Sequence, residues 1–98
     1  FKLAVTEDEP TIRPYDEGAW AQLPDVSAAP LAGTLDLLAA LHARWVVLLR
    51  ALDERQLRRT FRHPELGLTI PLDWQIGLYA WHGRHHCAHI DLVAARTS

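Results

Sequence analysis

Methionine is absent from this sequence, and cysteine occurs once, at Cys87. A lone thiol excludes an intrachain disulfide and a multi-cysteine zinc site, and it suits a reducing, cytoplasmic compartment. An excess of one charge is missing too. Lys and Arg number 10 against 12 Asp and Glu, a net charge of −2 with neutral histidines. Nothing here draws the chain toward nucleic acid or an anionic membrane surface. No apolar run reads as approaching the roughly 18–20 residues of a bilayer crossing, so no membrane partner is expected. Charged and apolar residues alternate near the start (Lys2, Glu7, Asp8, Glu9), which argues against a cleavable signal. An opening at Phe1 in a methionine-free chain leads us to expect a fragment or a processed product. At 98 residues, 49% of them hydrophobic, the chain makes one small globular domain at most.

What is present divides the chain in two. Pro10, Pro14, Pro24 and Pro30 punctuate residues 1–30, each removing a backbone donor and disfavouring helix just before it. Between Pro14 and Pro24 a short helix is expected, with Asp16 as N-cap, Glu17 at the positive end of the dipole and Trp20 as an anchor. Residues 31–56 read as a long amphipathic helix. Leu31, Leu35, Leu38, His42, Trp45, Leu49 and Leu52 recur at intervals of four and three, and Leu37, Leu41 and Leu48 widen the stripe. A helical turn can continue within 53–60. The segment 61–71, with Pro64 and Gly67, reads as a loop or two short extended pieces. Pro71 is then placed to open a second long helix over 72–96, in which Gly77 and Gly83 suggest close packing.

The expectation is therefore an all-α fold with two long helices as its skeleton. Two helices cannot enclose a core, and the first has an apolar face too wide for one neighbour. Either a missing N-terminal half or a second copy of the chain is expected to complete a four-helix bundle, the economical form being a homodimer.

Four of the six histidines fall between positions 82 and 89, deep inside the second long helix. At about 100° per residue, His82, His85, His86 and His89 occupy one arc of about 100°. His82 and His86 are an i, i+4 pair, as are His85 and His89, a spacing that presents two nitrogens from successive turns to one ion. Gly83 follows His82, so the turn supplies no glutamate base of the H-E-x-x-H kind. A catalytic site of the zinc type takes three protein ligands and an open position. Within the chain, His42 and His63 are candidates for the third. Hydrogen-bonded histidines without metal, or a pH-sensitive interface, are the rival readings. The argument for metal is that four imidazoles on a largely buried face need compensation for desolvation.

Other polar and aromatic residues read more plainly. Cys87 points about 140° away from His82, which favours packing over catalysis. Arg50, Arg55, Arg58, Arg59 and Arg62 read as a solvated helix end before an anion site. Trp45, Trp74 and Trp81 read as core before base-stacking surfaces.

Several strings together resemble the YfiT branch of the DinB-like superfamily. They are Pro10-Thr11-Ile12-Arg13-Pro14-Tyr15-Asp16-Glu17 with Trp20, Leu41-His42-Ala43-Arg44-Trp45, His63-Pro64-Glu65, and Trp81-His82-Gly83-Arg84-His85-His86-Cys87-Ala88-His89-Ile90. The resemblance implies a bundle of four long helices holding nickel or zinc through three histidines. Two of these fall on His82 and His86, and the third comes from an earlier helix, in a half that precedes this chain. It further implies a metal-dependent hydrolase, or a transferase that moves a low-molecular-weight thiol such as bacillithiol onto a small electrophile. His85 and His89 would then orient groups or exchange protons, or serve as substitute ligands, and Tyr15 and Asp16 would approach the metal mouth. The competing expectation is a non-catalytic helical interaction module with a vestigial histidine cluster.

Overall fold

The computed structural model describes residues 1–97. In chain order it contains α1 (Lys2–Thr6), α2 (Glu17–Ala21), α3 (Pro24–Ala28), α4 (Leu31–Ala51), α5 (Glu54–Leu57), β1 (Thr60–His63), β2 (Leu68–Pro71) and α6 (Leu72–Thr97). The two expected long helices are both there. Asp16 caps α2 as its sequence position requires, accepting from the Ala19 N–H at 2.9 Å.

The end of the first long helix and the segment that follows it take their form for local reasons. The first long helix stops at Ala51 instead of running to residue 56. Leu52 turns extended, and Asp53 then starts α5 with a reciprocal capping box: its carboxylate accepts from Gln56 N–H, and the Gln56 side chain accepts from Asp53 N–H. A strong new N-cap ends the old helix. Of the two readings of 61–71, the short extended pieces are the ones found: they form an antiparallel hairpin pairing Thr60 with Pro71 and His63 with Leu68, so the fold is mostly helical rather than all-α. Phe61 and Ile70 face each other across it, and both are buried. That cross-strand pair is what makes two short extended pieces into a sheet. Pro71 consequently closes β2, and α6 begins at Leu72.

The hairpin also organises the N-terminal segment. Arg62 N–H donates to Pro10 O at 2.8 Å and Ile12 N–H to Arg62 O at 3.0 Å, laying residues 10–12 beside β1. Arg59 reaches across to α1, its Nε and Nη2 each 2.6 Å from the carbonyls of Ala4 and Glu7. The core is small: Ala4, Phe61, Ile70 and Leu72, with Phe1, Val5, Ile12 and Leu52 packed against it. A second cluster joins the long helices, where the Trp45 ring meets Phe1 at 4.9 Å and Tyr79 at 4.8 Å, both edge-on.

Beyond those contacts the long helices stand open. No residue of α4 is buried, and of α6 only Leu72 is. The expectation that the histidine helix is largely buried is thereby corrected. Trp74 and Trp81 are exposed rather than core, and Cys87 is exposed rather than packed. A Cβ on Gly77 or Gly83 would meet nothing within 4 Å, so close packing does not account for these glycines. Trp20 anchors nothing large; its ring meets only Tyr15 among the described residues, at 4.6 Å. The Cα radius of gyration is 16.4 Å, against about 13 Å for a compact chain of this length.

Among the described residues one helix, Leu31–Ala51, is long and apolar enough to cross a bilayer by length and composition. This departs from the expectation that no run approaches that length. Asp36 and Arg44 are its only charged residues before Arg50, too sparse to pull the average down. A core helix of a bundle passes the same test, and the wide leucine face of α4 is of that kind.

Candidate metal centre

The four histidines on α6 form two pairs, each joined across one helical turn, with His86 also 6.1 Å from His85 and 6.4 Å from His89 between ring centroids. His82 Nε2 and His86 Nε2 lie 2.8 Å apart, with ring centroids at 4.5 Å. His85 and His89 meet ring to ring at 4.4 Å. His85 is also stacked on Trp81, centroids 4.7 Å apart and planes inclined by only 18°. The i, i+4 spacing brings each pair together, because side chains four apart lie one above the other on the same face. Reading Trp81 as core missed its stack on His85; their shared i, i+4 spacing was the signal available.

The His82–His86 pair fits two positions of a divalent ion. Imidazole nitrogens bind such ions at about 2.0–2.1 Å, so cis ligands at 90° stand about 2.9 Å apart and tetrahedral ones about 3.4 Å. The observed 2.8 Å matches the cis arrangement of tetragonal or octahedral sites, and both rings are free to open toward the tetrahedral value. Without an ion, one ring must donate its Nε2–H to the lone pair of the other. Ion and proton therefore compete for one seat.

Neither of the in-chain candidates for a third ligand, His42 or His63, joins the pair. Among the described residues no group of three or more His, Cys, Asp or Glu side chains could hold a metal. His42 turns its Nδ1 to the Leu38 carbonyl of its own helix at 3.0 Å and lines an apolar cleft of about 420 Å³ with Leu41, Trp45 and Tyr79. His63 accepts the Leu66 N–H at 3.3 Å across the hairpin turn, a structural role. Asp16 is committed to its cap and Tyr15 to Trp20, so neither joins the histidines. The arginine cluster resolves as structure: Arg59 holds α1, and Arg58 pairs with Glu54 at 3.7 Å.

Comparison with known proteins agrees with the helical scaffold. YfiT of Bacillus subtilis (strain 168), named as a candidate metal-dependent hydrolase, is 49% identical over 96 residues, covering 98% of this chain and 54% of that protein. A protein of Bacillus cereus (strain 03BB102) with the same functional name is 55% identical over the same shares of the two chains. The solved structure of YfiT, described as a probable metal-dependent hydrolase with an unusual four-helix bundle topology, superposes with a TM-score of 0.94 at 48% identity. It is covered over 98% of this chain and 55% of that one. The chain thus spans about half the length of the curated relatives it matches. The sequence model of the DinB superfamily matches residues 1–90, and the chain belongs to that superfamily.

Proposed function

We propose that this chain carries part of a metal-dependent hydrolase or thiol-S-transferase centre, with His82 and His86 as two of its ligands. The observation that supports this most directly is the convergence of the two Nε2 atoms to 2.8 Å on an exposed helix face. The relatives' names, which specify metal dependence, point the same way. A divalent ion such as nickel or zinc polarises an electrophile and makes a water or thiol a competent nucleophile near neutral pH. His82 and His86 hold that ion through Nε2. His85, kept in place by Trp81, and its neighbour His89 are positioned to orient a substrate or exchange a proton beside it. The substrate class is a small electrophile, with water or a low-molecular-weight thiol as partner.

The test is elemental analysis of protein purified without an affinity tag and dialysed against low metal. Stoichiometric nickel or zinc is expected, lost in His86→Ala and retained in His85→Ala. Protein that folds normally and takes up neither ion would leave a helical interaction module as the better reading.

A further inference from the structure

We infer that His42 is the proton acceptor of the reaction proposed above, taking the proton of the attacking water or thiol on its Nε2. The inference rests on that reading and adds to it a base from a second helix. Local geometry fixes the tautomer. A carbonyl oxygen can only accept, so the 3.0 Å contact between His42 Nδ1 and Leu38 O places the hydrogen on Nδ1. The lone pair then stands on Nε2. Trp45, one turn further on, meets the ring at 5.8 Å and limits its rotation. Donor, acceptor and aromatic neighbour all lie within one helix, so the orientation is set by α4 itself. His63 is the converse case. It accepts the Leu66 N–H on Nδ1, so its Nε2 carries the hydrogen and has no lone pair to offer a nucleophile.

The register of the long helices brings His42 to the level of the His82–His86 pair. Leu52, at the end of α4, and Leu72, the first residue of α6, pack in the same core. Seven residues along each helix from that point, Trp45 meets Tyr79 edge-on at 4.8 Å. Equal steps from a shared base mean that the helices run antiparallel, side by side. A further three residues, a rise of about 4.5 Å, reach His42 on one and His82 on the other. His42 also shares a cleft of about 200 Å³ with Ile76, Tyr79 and Ala80, which puts it on the face of α4 that meets α6. Among the described residues its ring touches Trp45 and no other histidine. It therefore stands beside the pair as a base and not within it as a ligand.

The step balances with this one residue. As the oxygen or sulfur of the nucleophile bonds to the electrophile, its proton passes to the Nε2 lone pair. The imidazolium so formed keeps its Nδ1–H on the Leu38 carbonyl, a contact that strengthens with the charge. The same proton goes to the leaving group as the bond to it breaks.

The experiment labels the histidines of the protein with ¹⁵N. Long-range proton–nitrogen correlation spectra, with His42 assigned by its absence in His42→Gln, are expected to show its hydrogen on Nδ1; a hydrogen on Nε2 overturns the inference. The protein loaded with Ni²⁺ or Zn²⁺ is then assayed with p-nitrophenyl acetate as the probe electrophile. His42→Gln should keep its metal content and helical circular dichroism but lose kcat by about a hundredfold or more. KM should change little, and the solvent deuterium isotope effect on kcat should disappear. A loaded parent protein no faster than the free ion, an unchanged kcat, or a variant that loses its metal each overturns the role of His42 and leaves the metal reading standing. A parent protein that takes up neither ion overturns both.

Discussion

Arg58 and Arg59 are adjacent in sequence and opposite in consequence, and substituting each tests the packing argument directly. The Arg59 guanidinium donates to the carbonyls of Ala4 and Glu7, both at 2.6 Å, across 55 and 52 residues of chain. These carbonyls end α1, where a cation is favoured by the helix dipole. A hydrogen bond from a charged donor contributes about 1.5–3 kcal/mol. The Ala4 contact is partly buried and takes the middle of that range, while the exposed Glu7 contact falls below it. Arg59→Ala should therefore cost about 2–3 kcal/mol. With a urea dependence of about 1 kcal/mol per molar for a chain of this size, the unfolding midpoint drops by about 2–3 M, or the cooperative transition disappears. Arg58 makes only a 3.7 Å pair with Glu54, one turn away and exposed on both sides, so Arg58→Ala should cost about 0.3–0.5 kcal/mol. Urea titration followed by circular dichroism reads both. Hydrogen exchange supplies the local check, since Val5 N–H, bonded to Phe1 O at 3.1 Å, should lose protection in the Arg59 variant alone. Equal midpoint shifts for the two variants would show that α1 is not held by this clamp.

Leu72 is fully covered at the junction of the hairpin and α6, and truncation to alanine should cost about 2–5 kcal/mol, against under about 0.5 kcal/mol for exposed Leu66→Ala; thermal melts of the two variants check the contrast. Gly67 has φ 64° and open space where a Cβ would lie, so Gly67→Ala should cost about 1–2 kcal/mol from backbone strain alone. A larger loss would mean that the turn is packed, and no loss that the left-handed conformation is not populated.

What the sequence shows well is whatever depends on spacing along one element. The periodic leucines gave α4, the Asp16 cap gave α2, and the histidine intervals gave both pairs on α6. What it hides are choices made between segments. Phe61 and Ile70 become strand residues because they can cover Ala4 and Leu72 together, and nothing in the run from Thr60 to His63 alone distinguishes that from a loop. The end of α4 was hidden differently. Leu52 continues the apolar stripe, so periodicity carries the helix past Ala51, while the capping box at Asp53 and Gln56 overrides it. The expected burial of α6 failed for a third reason: an apolar face shows that a helix can be covered, not that its own chain does the covering.

That last distinction changes the ground on which the histidines stand. In the sequence, the case for metal was that four imidazoles on a buried face would need compensation for lost water. The described residues leave all four exposed, so burial by this segment supplies no argument for an ion. Orientation replaces it. The single hydrogen bond between His82 and His86 contributes about 0.5–1.5 kcal/mol net, comparable to the entropy of fixing two exposed side chains, so the contact is nearly neutral by itself. An ion that takes both lone pairs changes that balance, at no further cost in arranging the rings.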